Sequence, residues 1–371
     1  EDWKFSDLNQ IISSNIKELK FFNNQTRPDE FDQSTLVNNL DHNKIIFVNG
    51  LISKVDFNYE EKNKIEIIDT QETEDLNSKN SLVSLNNALK CNYVKLIIKE
   101  NYSLNKPLII YNITNNKLNS NTINQRIDFV LKKNSSLKLI NLFDDSSNNN
   151  FININYQFKI EKDAILKNYK IDHKLNSNIK YFFNNIDLEH NSLAESFIFS
   201  TGSKFIKNEI NCNLNDQYSS AFINGIINLK NDQHHEIKTN INHLSENTKS
   251  YQLIKSVLNN NSKGVYQGKI FVNSKAQKTD GYQLSKALLL NRNAEFDAKP
   301  ELEIYTDDVK CSHGSTSGNL DENSIFYLMS RGLNYQQSRG LLINGFLLDV
   351  IEKITDEKIK NLIKNIMNIK E

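Results

Sequence analysis

Apolar positions along the chain change period several times, and the changes divide it. Leu8, Ile11, Ile12, Ile16, Leu19 and Phe22 recur three and four residues apart, the spacing of one helix face. Residues 1–24 are therefore expected to be helical, with Trp3 packed against that helix. From Asn43 short apolar runs take over, at 44–48 and 64–68, and the acidic stretch 70–80 reads as an exposed loop. Helical spacing returns briefly at 84–89. From Tyr93 to Val309, runs of strand composition follow one another with no helix between them, among them 136–142, 164–171, 194–200, 219–229, 235–244, 265–272, 281–290 and 301–309. Alternation is clearest where Ile237, Thr239 and Ile241 share one face, as do Ile270 and Val272, which means that one face is buried.

Only three prolines and few glycine-based hairpin turns punctuate the chain. That favours a stacked, solenoid-like sheet over a hairpin-rich sandwich. The fold expected is mainly β, a right-handed parallel β-helix that buries one face of each rung and stacks rungs about 4.8 Å apart. Its ends need covering by helices or by another stack, because a bare edge invites association. After the sheet, Asp321 is placed to cap a helix that stops at Gly332, Asn334 to cap one carrying Leu341, Leu342, Phe346, Leu348 and Ile351 to about residue 354, and Thr355 to cap a last one with Ile359, Leu362, Ile363, Ile366 and Met367. One face of these helices is expected on the solenoid's end, another free to dock a protein. Three regions follow: 1–83, helical and mixed; 84–318, the β-helix; 319–371, a helical domain.

Composition narrows the functional classes. Lys plus Arg and Asp plus Glu are both 45, so no net charge draws the chain to nucleic acid or to a membrane. The longest apolar runs fall short of the roughly 18 residues of a membrane span. Three scattered cysteines, Cys91, Cys212 and Cys311, argue against a disulfide framework and suit a reducing compartment. Abundant Asn, as in Asn148-Asn149-Asn150 and Asn259-Asn260-Asn261, reads as loop filler. The chain opens at Glu1 rather than Met, which leaves room for a short missing leader.

The densest chemistry lies between Lys299 and Leu320. A strand-like run ends in a polar turn bearing Asp307, Asp308, Cys311 and His313. Two residues apart, Cys311 and His313 would share a face in extended backbone, with Ser312 on the other. A thiolate and an imidazole suit iron, copper or zinc, yet two or three ligands make only an open, partial site; a turn Cys and His with no ligand is the plain alternative. His234 and His235 point to opposite sides and read as rung packing, and Cys91 and Cys212 as inert buried thiols. No P-loop, GxGxxG, GxSxG or HExxH motif occurs. A carbohydrate-active β-helix would need paired carboxylates on adjacent rungs, which the sequence does not assemble.

The runs Lys299-Pro300-x-Leu302-Glu303-Ile304-x-x-Asp307-Asp308-Val309-Lys310-Cys311-Ser312-His313-Gly314, Leu320-Asp321-Glu322 and Phe326-Tyr327-Leu328-x-Ser330-Arg331-Gly332 closely resemble the C-terminal signature of the SufB/SufD family of iron–sulfur cluster assembly scaffolds. The stretches Trp3-Lys4-Phe5-Ser6-Asp7-Leu8, Leu85-Asn86-x-Ala88 and Lys106-Pro107-Leu108 look like the same family. Gly314, where SufB members carry Glu, points to the SufD branch; Ser315 and Gly340 stand where the family more often has alanine.

The resemblance implies a non-catalytic scaffold subunit that pairs with SufB through β-helix ends and binds the SufC ATPase through its helical tail. Phe326, Tyr327, Arg331 and Phe346 are the tail positions it points to. It also implies that Cys311 and His313 lie at the SufB interface, where they would handle transient iron or a nascent Fe–S cluster, and that reduced flavin can bind the complex; this chain would bind no nucleotide. The location expected is cytoplasmic, or plastid where a leader precedes the chain. The competing readings are a SufB-like paralogue and a structural or carbohydrate-active β-helix outside the Suf system.

Overall fold

The computed structural model describes residues 4–369 except 17, 22–30, 71–77, 79, 91–92 and 116–117. Trp3, Phe22, Cys91 and most of the 70–80 loop lie outside the described residues. Two ten-stranded sheets form the body. From Tyr93–Ile98 onward, successive strands alternate between them, every neighbouring pair within a sheet parallel, so each turn of chain adds one strand to each sheet. Equivalent positions on adjacent rungs are 26 to 33 residues apart. This is a parallel β-solenoid. The sheets reach back to Asn43, where antiparallel pairs, Asn43–Val48 with Leu51–Asp56 and Ile65–Thr70 with Tyr93–Ile98, finish the first end.

Most strands run 10 to 13 residues, longer than the apolar runs suggest. The reason lies inside. The lumen holds polar side chains among the apolar ones, for example the column Asn141, Lys170, Ile198, Gly225, Ile254, Ser285, and these break the alternation a reader would follow. Lys180 is fully buried there, in ion pairs with Asp145 and Asp172. Paired carboxylates on neighbouring rungs thus exist, but with a lysine clamped between them and no access to a sugar.

Asparagine is not filler. Asn49, Asn101, Asn134, Asn149, Asn191, Asn231, Asn247 and Asn260 take positive φ, the left-handed conformation that Asn tolerates better than other side chains, at turns between strands. Others stack in ladders from rung to rung, Asn240 to Asn211 to Asn185 and Asn293 to Asn261. Each ladder lets side-chain amides satisfy one another where identical positions lie one rung apart.

Helices cover the outer faces rather than the end. Leu8–Asn15, shorter than the periodicity suggests, and Ser81–Leu89 lie over Phe151, Ile179, Tyr181 and Phe205. On the other sheet, Tyr335–Ile351 and Glu357–Ile366 bury Leu347, Val350, Ile351, Ile359 and Ile363 against Tyr169, Phe197, Ile226 and Leu253. The outward residues of this sheet are themselves apolar, so its flank offers more surface to bury than the solenoid's end. Lys255 Nζ pins the tail by reaching the Phe346 carbonyl and Asp349, each at 2.6 Å. The caps at Asp321 and Asn334 form as expected, the latter as a capping box with Gln337, and Gly332 takes φ +98°. The last helix is capped by Asp356; Thr355 instead accepts a hydrogen bond from Lys167 at 2.7 Å.

Candidate functional site

The last rung differs from the sequence reading in one respect that matters. Glu295–Ile304 is one strand, with Pro300 inside it; Asp307 and Asp308 lie in the turn, and a second strand, Val309–Gly318, carries Cys311 and His313. Each is the outermost strand of its sheet and is paired on one side only. Proline is tolerated because an edge strand needs no hydrogen-bond donor on its open side. The second strand reads as a polar turn, rich in Ser and Gly, because one side of it has no neighbour to demand apolar contacts.

Strand pairing sets where each side chain goes. Cys311 lies beside Gly281, Ser312 beside Tyr282 and His313 beside Gln283. Gln283 is fully buried and receives a hydrogen bond from the lumen residue Tyr266, so Cys311 and His313 stand in lumen-facing columns and Ser312 in an outer one. Cys311 is half-buried and packs with Ile270, Val272 and Ala276 of that end cluster. Burial pushes its thiol up, partly offset by a hydrogen bond from the Gly281 backbone, with Asp280 adding to the rise. His313 is exposed.

Gly281 makes room for this. A Cβ there would sit 3.3 Å from Cys311 Sγ and 3.6 Å from His243 Nε2. His243 was not marked in the sequence; it belongs to the opposite sheet, and no local signal connects it to Cys311. Its ring nitrogens meet Thr248 at 2.7 Å and Ser250 at 2.8 Å, and burial lowers its pKa to about 3. Among the described residues no three His, Cys, Asp or Glu side chains come together as a metal-binding set. Asp307 and Asp308 are exposed on the turn, and the Asp308 carbonyl accepts from the Lys278 N–H.

The remaining marked residues separate. His235 is buried between Ser200 and the Ser203 carbonyl, while His234 lies 2.9 Å from Glu236 on the outer side, so the two imidazoles diverge as adjacent strand residues must. Cys212 is sealed in the core, and burial pushes its thiol up. Phe326 and Tyr327 are exposed on the first tail helix, Glu322–Ser330, and Arg331 at its C-cap, with the Arg331 guanidinium 5.2 Å from the Tyr327 ring; Phe346 is half-buried against the sheet with Lys255 over its ring.

The family described as SUF system FeS cluster assembly, SufBD core domain, matches residues 112–346, more than half of the chain. The chain belongs to the SufBD family. Relatives of this SufBD chain carry the SufD name. Over 71 residues, 19% of this chain and 17% of the relative, it is 49% identical to the iron-sulfur cluster assembly protein SufD of Escherichia coli (strain K12). It is 35% identical over 81 residues, 22% of this chain and 18% of the relative, to the SufD of Bacillus subtilis (strain 168). Protein ABCI7, chloroplastic, of Arabidopsis thaliana is 40% identical over 76 residues, 20% of this chain and 16% of the relative. These matches span less than a fifth of each of those relatives. The SufBD chain is of the SufD type. Among its described residues no helix is long and apolar enough to cross a membrane.

Proposed function

We propose that this chain is a scaffold component of iron–sulfur cluster assembly that supplies half of a shared site. The observation that carries the reading is the bare last rung: two ten-residue edge strands, each paired on one side only, with Cys311 and His313 on the lumen side of one of them. A rung with open N–H and C=O groups along both sheets is completed by another rung, which the end of a SufB-like solenoid would supply. The incomplete ligand set suits cargo that must leave, since a full set of strong ligands releases iron slowly. Iron or a nascent cluster is the cargo, with His313 the ligand open to solvent and the partner supplying the remaining donors.

The ATPase of the assembly, SufC, docks in this reading on the exposed face bearing Phe326, Tyr327 and Arg331, where Met329, Tyr335 and Leu341 are also exposed. Phe346 serves it indirectly by seating the tail on the sheet. Reduced flavin belongs to the assembled complex; in this chain the outer groove floored by Tyr251 and Tyr282 has the flat aromatic surface such a ring needs.

The decisive experiment co-expresses the chain with its SufB and SufC partners and reconstitutes cluster formation. His313→Ala is expected to leave the complex intact on size exclusion and to abolish cluster build-up. A variant complex that builds clusters at the normal rate would sink the site assignment, and a chain that co-purifies with neither partner would sink the scaffold reading.

A further inference from the structure

Where the tail leaves the solenoid, three segments close on a cavity of about 320 Å³: the turn 290–294 between strands Thr279–Leu289 and Glu295–Ile304, the residues Asn319 and Leu320 that follow the last strand, and the start of helix Tyr335–Ile351. Its volume is at the lower end of small-molecule sites. Leu289, Leu320 and Ile325 give it an apolar wall. Two guanidinium groups line it, Arg292 from the turn and Arg339 from the helix.

The choice of arginine is informative. Of 45 basic residues in the chain only five are arginine, and two of the five meet here. Arg126, by contrast, is spent on an ion pair with Asp128 at 2.9 Å. Among the described residues the guanidinium of neither Arg292 nor Arg339 makes a hydrogen bond or an ion pair. Arg339 does lie against Tyr335, its guanidinium 5.6 Å from the ring centroid, which steadies its plane. A guanidinium presents its N–H donors in a flat fork that matches paired oxygens of a phosphate or carboxylate. Asn291 and Asn319 bring amide N–H donors to the same lining. Glu322 is the one carboxylate in it, so the cavity keeps a net positive charge beside its apolar wall. The neighbouring helix starts are already capped, by Asp321 and by the Asn334–Gln337 box, so the donors for an anion are the two arginines and not the helix ends.

We infer that this cavity binds a small oxyanion with two or more negative charges, a phosphate or a polycarboxylate, held between Arg292 and Arg339. Bound there, it ties the last turn of the solenoid to the tail helix. The inference goes beyond the scaffold reading and does not depend on it: a chain that pairs with no partner can still bind the anion, and one that pairs can fail to bind it.

The test titrates inorganic phosphate and, in a parallel arm, malonate into the 371-residue chain by calorimetry at fixed ionic strength, with sodium chloride as the control for screening. Saturable binding is expected, with a rise in melting temperature that follows it, because the anion binds only the folded chain. Arg292→Gln and Arg339→Gln should each weaken binding about tenfold or more, the effect of losing charge-assisted hydrogen bonds. Arg339→Lys, which keeps the charge and loses the fork, should fall between. Glu322→Gln, which removes the opposing charge, should tighten binding by up to about fivefold. Lys275→Gln, at an exposed turn outside the cavity, should change nothing. Tighter binding of phosphate assigns the cavity to a phosphate ester and tighter binding of malonate to a polycarboxylate; either supports it. Circular dichroism on each variant separates lost binding from lost fold. No saturable binding of either anion, or binding that Arg292→Gln and Arg339→Gln weaken no more than Lys275→Gln does, overturns the inference.

Discussion

Gly281 and Cys311 are register partners on the last two strands of one sheet, and the missing side chain of the first is what seats the second. A Cβ at Gly281 would approach Cys311 Sγ to 3.3 Å, Ile270 Cγ2 to 3.4 Å and His243 Nε2 to 3.6 Å. The glycine is needed for space and not for an unusual φ.

Gly281→Val should therefore press on three packed groups at once. Overpacking of this kind costs about 1–3 kcal/mol. A thermal melt should show the loss, and Cys311 should become more reactive as the last strand is pushed outward. Gly281→Ala, whose single methyl needs a shift of a few tenths of an ångström, should behave close to the parent; equal damage from both would show that space at Gly281 is not the constraint.

Burial raises the Cys311 thiol above its ordinary value, so little thiolate is present near neutrality. In a Cys91→Ser, Cys212→Ser background, alkylation by iodoacetamide should be slower than that of a free thiol at pH 8 and its rate should climb at higher pH than that of a free thiol. Pairing with another solenoid end buries the thiol further and should slow it again. A rate matching free cysteine would contradict the packing seen here.

Two buried imidazoles make the solenoid acid-sensitive. Burial lowers His235 and His243 from 6.5 to about 3, so both stay neutral in the folded chain. Below pH 6.5 the unfolded chain takes up protons that the folded chain refuses, and stability falls as pH drops from there towards 3. Each site contributes a slope of up to about 1.4 kcal/mol per pH unit. Denaturant unfolding at pH 7, 6 and 5 should show the decline, and His243→Gln should make it shallower; a slope that His243→Gln leaves untouched would remove this residue from the account.

The tail is held by Lys255, whose side chain is 4% exposed. Lys255→Ala removes its bonds to Asp349 and the Phe346 carbonyl and its place over the Phe346 ring. A hydrogen bond from a charged group is worth about 2 kcal/mol. Amide exchange should accelerate across Tyr335–Ile351 and Glu357–Ile366 while the solenoid strands keep their protection. Exchange rising equally in the strands would mean that the tail and the solenoid unfold together.

Sequence and structure divided the description along physical lines. Local rules were enough for whatever depends on neighbours in the chain: the succession of strands, the helix caps at Asp321 and Asn334, the stop at Gly332, and the shared face of Cys311 and His313, since side chains two apart in a strand always share one. The family signature was likewise readable, because it lies in one continuous stretch. Residues brought together across rungs were not. Asn211 with Asn240, and Lys180 with Asp145, meet only because the chain returns after each turn at a set distance from itself, and the length of that turn is a property of stacked backbones that no window of sequence contains. The same cause put the tail helices on a flank: the apolar outer column there is assembled from one residue per rung, invisible until the rungs are stacked.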